Sequence, residues 1–459
     1  MTEAMIGLEI HGYLNTNEKL FCNCKAERHA SKKGIAANSN ICPICTGQPG
    51  SKPMLPNSEA IKKIIQISLM LGCRINTTEK LPGLVWQRKH YSWPDLPKGY
   101  QNTISGPYSN EVGIKGEFEG IKIRECHLEE DPAQWNPETG NIDYNRSGLP
   151  LIEMVTDPDF KNSEEVIVWL KELVLTLSYI KALDKNAGIK ADVNVSINGG
   201  ERVEIKNITS LESIKKAIDY EIYRQEEEGA ILETRRFDEE SGKTILMRKK
   251  EQAEDYRFIP DPDLPILKLS EKEVDELKKK LPETPKEKLE NLIKKHKIDK
   301  KNAEILHKNF ELVEFFEEVA EKISPEFALS WVNIELLRVL NWNKKTLEEV
   351  DIRPEHFIEL LTLVKTGKLT ELKAKQILNE FVPHSFSPQS KLKENSKIED
   401  EKEIEAICRK VLEKNAKSAE DYKHGKKEAF NFLMGEVMKE SQRRADFLIA
   451  RKVMEKILS

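Results

Sequence analysis

Short segments in which apolar and polar residues alternate dominate the first part of the chain. They run over residues 4–14, 116–124, 188–197 and 244–247. An alternation with a period of two places every second side chain on the same face of an extended chain. The pattern therefore predicts β-strands.

Three longer segments of the same region repeat their apolar residues at helical spacing, over residues 58–71, 163–180 and 210–228. Each begins with a serine, which we predict to be the N-cap of a helix. The strands are too irregularly spaced for repeated βαβ units. We therefore predict an α+β domain built on a largely antiparallel sheet.

The pattern changes after a proline-rich stretch between Pro260 and Pro285. Leu306, Phe310 and Val313 then recur at the spacing of an amphipathic helix, and later segments repeat this pattern. The sequence predicts that an all-helical domain follows the first one.

A polar stretch over residues 383–402 is rich in Ser and Lys and has no apolar periodicity, so we predict a flexible linker. Beyond it, Phe430, Leu433 and Val437 line one face of a helix, which predicts a small helical tail domain. The three predicted domains comprise residues 1–290, 291–395 and 396–459.

Composition describes a heavily charged globular protein. The 459 residues are 39% hydrophobic and 33% charged, and the formal net charge is −5. This balance is too small to steer a particular ligand through the overall field. No apolar run reaches membrane-spanning length and the N-terminus lacks the features of a signal peptide, so we expect a cytoplasmic protein that does not contact a membrane.

Four cysteines form two close pairs within an insertion at about 20–46. Cys22 and Cys24 make a C-x-C pair, and Cys42 and Cys45 make a C-x-x-C pair. Two such pairs can supply the four corners of a tetrahedral site. We interpret them as ligands of a structural Zn²⁺, with incidental or redox-active cysteines as the alternative.

Acidic residues and a histidine recur on the strand-like segments of the first domain. They are Glu9, His11, Glu129, Glu130, Glu153, Asp192 and Glu204. Buried carboxylates are costly unless a cation neutralises them, and oxygen ligands with one imidazole suit Mg²⁺ bound together with a nucleotide's phosphates. The pattern points to phosphoryl transfer, although any one of these residues alone is more often structural.

The tail domain has a cluster of basic residues that includes Lys426, Lys427, Arg443 and Arg444. A basic cluster on a helical module can bind the phosphates of a nucleic acid. The alternative is an ordinary solvated surface.

Several long strings along the chain resemble one family. They are GLEIH from Gly7, RKHYSWPDLPKGYQ from Arg88, HLEED from His127, GLPLIEMV from Gly148, TRRFDEESGKTILMR from Thr234, DYRFIPDPDLP from Asp255 and DYKHGKKEAFNFLMGEVMK from Asp421. The chain resembles the B subunits of the glutamyl/aspartyl-tRNA amidotransferases almost from end to end.

This resemblance implies a kinase-like cradle domain, a helical domain and a mobile tRNA-binding tail. The implied reaction begins when ATP phosphorylates the side-chain carboxylate of Asp or Glu mischarged on tRNA(Asn) or tRNA(Gln). Ammonia then displaces the phosphate to give the amide. The implied partners are the A subunit, an amidase that releases the ammonia from glutamine, and the small C subunit.

The resemblance also implies roles for individual residues. The expected catalytic and Mg²⁺-binding residues are Glu9, His11, Glu130 and Glu153, with Asp192 and Glu204 as further Mg²⁺ ligands. Only one of Glu129 and Glu130 can point to a given face of a strand, and the family motif favours Glu130. The expected contacts with ATP or the acyl phosphate are Lys206 and Arg235, and those on the ammonia path are Lys89 and Tyr91.

Two other function classes compete with this one. A zinc-bearing RNA-binding protein would explain the cysteines and the basic tail but not the buried acids. A free-standing carboxylate–amine ligase or small-molecule kinase would explain the acids but not the tail. The chain contains no P-loop motif, which argues against ordinary NTPases. Whether Asp, Glu or both are accepted stays open.

Overall fold

The computed structural model describes residues 3–27, 35–78, 83–91, 93–184, 188–249, 256–392 and 396–458. The chain divides into two compact units, Met1–Pro285 and Lys286–Ser459.

A large mixed sheet is the centre of the first unit. The strands of this unit are β1 Ala4–Tyr13, β2 Arg74–Ile75, β3 Gln87–His90, β4 Tyr100–Thr103, β5 Gly113–Phe118, β6 Ile121–Glu130, β7 Gln134–Trp135, β8 Ile142–Asp143, β9 Pro150–Thr156, β10 Ile189–Ile197, β11 Val203–Ile208, β12 Glu233–Asp238, β13 Lys243–Lys249 and β14 Arg257–Pro260. Twelve of them form the sheet along the path β13-β12-β11-β10-β1-β9-β6-β4-β3-β14, with β5 and β2 attached beside β6, while β7 and β8 form a separate pair. Neighbouring strands are antiparallel except β11 and β12, which are parallel. The predicted α+β class is confirmed.

Strand β1 lies in the middle of this sheet, between β9 and β10. Its side chains Ile6, Leu8 and Ile10 are almost completely buried on one face. Because successive side chains of a strand point to opposite faces, Glu9 and His11 lie on the other face. This alternation separates the core from the polar site described below.

Helices cover the apolar face of the sheet. They are α1 Ser58–Met70, α2 Ser163–Tyr179 and α3 Leu211–Glu228, followed later by α4 Glu271–Lys279. Ser210 caps α3 as predicted, but the side chains that cap α1 and α2 are those of Asn57 and Asn162. The predicted N-caps of these two helices were therefore wrong by one residue, because an asparagine oxygen one position earlier already accepts the free backbone N–H groups.

The second unit is helical, as predicted. Its helices are α5 Pro285–His296, α6 Lys300–His307, α7 Phe310–Lys322, α8 Pro325–Ser330, α9 Leu337–Trp342, α10 Pro354–Lys365, α11 Glu371–Asn379, α12 Glu401–Lys414, α13 Ala416–Lys423, α14 Lys427–Glu440 and α15 Phe447–Leu458. A π-helical turn, Trp331–Leu336, joins α8 to α9. One apolar core lies within residues 292–381 and another within residues 398–458.

The predicted linker is hydrogen-bonded where the structure describes it. Lys397 N donates to Lys368 O, and Ile398 N donates to Arg444 O, both at 2.9 Å. Residues 393–395 of this stretch lie outside the described residues. The flexibility of the linker and the three domain boundaries stay predictions.

In the described ranges, each helix is too short or too polar to cross a membrane.

Candidate functional site

The polar face of the sheet gathers acidic side chains from five neighbouring strands. The register sets His11 opposite Glu153 and Glu9 opposite Asp192. Directly opposed residues of an antiparallel pair share a face, so these four side chains converge. The polar residues of this face are Glu125, His127 and Glu129 of β6, Glu153 of β9, Glu9 and His11 of β1, Asp192 and Asn194 of β10, and Glu204 and Lys206 of β11.

A first cluster consists of His11, Glu129 and Glu153. A ligand atom of each lies within 4.8 Å of the others. His11 Nε2 and His127 Nε2 both lie 3.3 Å from Glu153 Oε2. Imidazole nitrogen and carboxylate oxygen at this spacing fit one divalent cation.

Burial and the neighbouring charges shift the pKa values of the residues in this cluster. The pKa of Glu129 is raised by its burial and by the neighbouring Glu153 charge. Burial alone would lower the pKa of His11, but the hydrogen bond and charge of Glu153 raise it to about 9. Burial opposes ionisation of Glu153 as well, yet the charge of His127 and the contact with His11 hold its pKa well below the usual range. Positive charge near Glu153 thus stabilises its ionised form.

A second cluster consists of Glu9, Asp192 and Glu204, again with ligand atoms within 4.8 Å of one another. Asn194 Nδ2 donates to Glu9 Oε1 at 3.1 Å. Burial raises the pKa of Glu9, as expected where carboxylates are crowded in a low dielectric.

Lys206 is the cation beside this second cluster. Its Nζ lies 2.6 Å from Asp192 Oδ2 and also contacts Glu204. Burial disfavours the charged ammonium, but the two carboxylates outweigh it and raise the pKa of Lys206. Lys206 thus lies with the acidic residues of the second cluster; its expected contact with ATP or the acyl phosphate stays a prediction.

Glu130 does not lie with either cluster. It faces away from Glu129 on β6, where Lys98 Nζ contacts its Oε1 and Asn102 N donates to the same oxygen at 2.9 Å. The structure thus brings Glu129, and not the expected Glu130, to the first cluster, and the role of Glu130 as a Mg²⁺ ligand stays an untested prediction. The strand register puts the earlier glutamate of the pair on the site face.

Arg235 also points away from the site. Its guanidinium donates to Glu233 Oε1 at 2.7 Å and to Thr244 Oγ1 at 2.9 Å, and its Nε lies 3.7 Å from Glu221 of α3. These partners belong to the helix-covered side of the sheet. The structure therefore places Arg235 apart from the two clusters, and its expected contact with ATP or the acyl phosphate stays an untested prediction.

Lys89 and Tyr91 lie at the edge of the first cluster. The positive charge of Lys89 partly offsets the raised pKa of Glu129. Its Nζ lies 4.6 Å from the centre of the Tyr256 ring, which Tyr91 contacts edge-on at 5.7 Å. Burial raises the pKa of the Tyr91 hydroxyl, so this group stays protonated. Lys89 and Tyr91 therefore have the polar character that a passage toward Glu129 would need.

A pocket of about 480 Å³ opens beside the first cluster. Its lining includes His11 and Glu129, and Tyr91, Asp131 and Arg146 on its other walls. Arg146 Nε lies 2.9 Å from Asp131 Oδ2, so that Arg146 balances the charge of Asp131. The pocket leaves room for a small polar group next to a bound cation.

The four cysteines form a separate centre. Their sulfur atoms lie within 4.8 Å of one another, and all four are free thiols. Four sulfur ligands at this separation fit tetrahedral Zn²⁺. Cys73 and Cys126 lie apart from this centre and are buried in the core of the sheet.

The basic residues of the tail differ in their surroundings. Lys426 Nζ pairs with Asp421 Oδ1 at 2.8 Å, and Lys427 begins α14. Arg443 is exposed, whereas Arg444 is half-buried and its Nε has no hydrogen-bond partner among the residues that the structure describes. Lys426, Lys427 and Arg443 are thus more exposed to solvent than Arg444.

Two members of the site, Glu125 and His127, are absent from the residues predicted from the sequence, and Glu129 was set aside for Glu130. The signal was present in Glu125-x-His127-x-Glu129, because an alternation of polar residues with Cys126 and Leu128 puts all three on one face. Knowing which face requires the neighbouring strands β4 and β9.

The fold and the two clusters define a class: an α+β protein whose central sheet bears a carboxylate-rich site fit for divalent cations. The family model of the GatB/GatE catalytic domain matches residues 4–275, and that of the GatB domain matches residues 314–458. The chain belongs to the family of B subunits of the aspartyl/glutamyl-tRNA(Asn/Gln) amidotransferases.

Full-length relatives agree with this membership. The chain is 41% identical to the B subunit of the aspartyl/glutamyl-tRNA(Asn/Gln) amidotransferase of Methanopyrus kandleri, covering 100% of this chain and 99% of that protein. It is 42% identical to the protein of the same name from Methanothermobacter thermautotrophicus, with 96% and 97% covered. The corresponding protein of Methanocaldococcus jannaschii is 42% identical, with 96% and 94% covered.

Proposed function

We propose that this chain is the part of a tRNA-dependent amidotransferase that activates the side-chain carboxylate of Asp or Glu misacylated on tRNA(Asn) or tRNA(Gln). It uses ATP to phosphorylate that carboxylate, and ammonia then displaces the phosphate. The observation that carries the proposal is the pair of carboxylate clusters on one sheet face. Family membership and the printed names of the relatives support it.

The acidic side chains act as binding residues in this proposal. His11, Glu129 and Glu153 would hold one Mg²⁺, and Glu9, Asp192 and Glu204 a second. Bound Mg²⁺ supplies charge neutralisation between the triphosphate and the attacking carboxylate, which otherwise repel each other. His127 orients Glu153 through its Nε2, at 3.3 Å.

Fixed cations and polar groups complete the site. Lys206 holds Asp192 and Glu204 in place and presents a positive charge on the face where phosphate oxygens would lie. Lys89 and Tyr91 would line the path by which ammonia reaches the acyl phosphate. The pocket beside Glu129 would receive the aminoacyl end of the tRNA.

The first unit would act as the kinase-like cradle, and other parts of the chain would serve binding and stability. The four cysteines would hold a structural Zn²⁺. Lys426, Lys427 and Arg443 would contact tRNA phosphates, with Arg444 contributing less because it is half-buried. The ammonia would come from the amidase, the A subunit, and the small C subunit would complete a cytoplasmic heterotrimer.

The test is the variant Glu153→Gln, which keeps the shape of the side chain but removes the charge that a divalent cation needs. We expect phosphorylation of the aminoacyl-tRNA to fall by about 100-fold or more, while the partner's glutaminase activity survives in part. Release of labelled phosphate from γ-labelled ATP in the reconstituted complex measures this.

The matched control is Glu201→Gln, a change of an exposed carboxylate between β10 and β11, which should leave the rate unchanged. Wild-type amidation by the Glu153→Gln variant would contradict the proposed site.

A further inference from the structure

A buried lysine lies beside the four-cysteine centre. Only 1% of the surface of Lys19 is exposed, although lysine is almost never fully buried without a charged partner. Its Nζ donates a hydrogen bond to Tyr144 O at 3.0 Å. A carbonyl oxygen carries no net charge, so this hydrogen bond does not neutralise the buried ammonium.

The position of Lys19 brings it next to Cys45. Lys19 Cδ and Cys45 Cβ both lie 3.8 Å from the place that a Cβ atom would take at Gly148. Lys19 N also donates to Cys24 O at 3.0 Å. The nearby group whose negative charge would balance this ammonium is therefore a metal-bound thiolate of this centre.

Metal binding makes this need for a cation stronger. A divalent ion held by four thiolates keeps two negative charges, and such a centre is costly in a buried place unless positive charge stands near it. We propose that Lys19 is the buried counter-charge of the metal centre formed by Cys22, Cys24, Cys42 and Cys45. This inference rests on the proposed Zn²⁺ site.

The same lysine ties the centre to a segment that leads to the pocket beside the first cluster. Besides the contact of Lys19 with Tyr144, Ser147 Oγ donates to Cys45 O at 2.7 Å, and Leu20 N donates to Gly148 O at 2.8 Å. Arg146 lies within this segment and holds Asp131 at the pocket. The metal centre would thus fix one wall of the pocket from behind.

The experiment measures the Zn²⁺ affinity of the full-length chain by competition with a chelator of known affinity. Lys19→Gln keeps a hydrogen-bond donor for Tyr144 O but removes the charge, so we expect the apparent Kd for Zn²⁺ to rise tenfold or more. Lys19→Arg, which keeps the charge, should restore most of the affinity. The Co²⁺-loaded protein, followed by its thiolate charge-transfer absorption, should show the same order.

Two controls separate charge from packing. Lys25→Gln changes a lysine of the same insertion whose side chain is 72% exposed, and its Zn²⁺ affinity should equal that of the wild type. Ser147→Ala removes the hydrogen bond to Cys45 O without changing any charge, and its affinity should stay within about threefold of the wild type, as expected for one neutral hydrogen bond.

If the Zn²⁺ affinity of the Lys19→Gln variant lies within twofold of that of the wild type, the proposed role of Lys19 is wrong, whereas the Zn²⁺ site is unaffected. A tenfold loss in Ser147→Ala would also overturn it, and this measurement does not require a folded Lys19 variant. Failure of the wild type to bind Zn²⁺ or Co²⁺ stoichiometrically would overturn the metal site itself. None of these results bears on the proposed carboxylate chemistry, which the Glu153→Gln variant tests separately.

Discussion

At the scale of single residues, the register of one strand decides the chemistry. Glu129 and Glu130 are neighbours of equal charge, yet Glu129 meets His11 and Glu153 while Glu130 meets Lys98. A sequence motif cannot distinguish them, because the two faces of a strand differ only through what packs against each. The adjacent pair therefore allows a direct comparison between Glu129, a proposed metal ligand, and Glu130, a member of an ion pair with Lys98.

The variants Glu129→Gln and Glu130→Gln should fail in different ways. Glu129→Gln should lower ATP-dependent phosphorylation by about 100-fold with little loss of stability, because it removes a charge at the cation site. Glu130→Gln should keep most activity but lower the free energy of unfolding by about 1–3 kcal/mol, because it leaves Lys98 without its anion. Single-turnover kinetics and urea unfolding measure the two effects. The opposite pattern would return Glu130 to the site.

At the scale of elements, hydrogen bonds hold the described part of the cysteine insertion in place. Lys19 N donates to Cys24 O, and the insertion then reaches the segment before β9 through hydrogen bonds such as that from Asn40 N to Asn145 Oδ1. A bound metal would therefore contribute much of the stability of this element, since binding and folding are linked.

The double variant Cys42→Ser, Cys45→Ser should lose its stoichiometric zinc and unfold at a Tm lower by roughly 5 °C or more. Chelation of the wild-type protein should reproduce this shift. Cys408→Ser, a change of a buried cysteine in the tail, should lower stability without changing the metal content. Elemental analysis and calorimetry measure both quantities; a metal content of zero in the fresh wild-type protein would refute the occupied site.

Sequence periodicity predicted the strands and helices better than it predicted which strands pair with each other. The alternation around Glu9 identified β1 and its polar face, and the helical unit followed from spacing alone. The parallel pairing of β11 with β12 was not predicted, because nothing local specifies it. The same long-range pairing placed Arg235 on the helix-covered side beside Glu221. Local patterns thus give the strand and its faces, whereas neighbours from distant sequence decide what each face contacts.

At the scale of the whole molecule, the proposed function places the chemistry and the capture of tRNA in separate units. The carboxylate clusters lie in the unit Met1–Pro285, and the basic residues lie in the unit Lys286–Ser459. A defect in the tail should therefore weaken substrate capture without disturbing the binding of nucleotide.

Charge reversal of Lys426, Lys427 and Arg443 to Glu should raise the KM for aminoacyl-tRNA strongly and leave kcat and ATP binding nearly unchanged. It should also flatten the salt dependence, because each lost phosphate contact lowers the slope of log affinity against log salt by about 0.7–0.9. Deletion from residue 396 onward should act in the same direction.

Reversal of Lys294 and Lys300, two exposed lysines of α5 and α6 whose side chains are 73% and 79% accessible, is the control for net charge. If truncation leaves tRNA affinity intact but stops turnover at saturating tRNA, the tail belongs to the catalytic machinery instead.

The central place of β1 has a consequence for how the protein is made. Its Glu9 meets Asn194 across 185 residues of sequence, so the ribosome releases the first half of the site long before the second half exists. Until β9 and β10 emerge, both edges of an apolar strand stay unpaired, and such edges invite association with other chains. Newly synthesised chains should therefore depend on chaperones until about residue 200 has left the ribosome, and chains truncated before that point should aggregate rather than bind Mg²⁺.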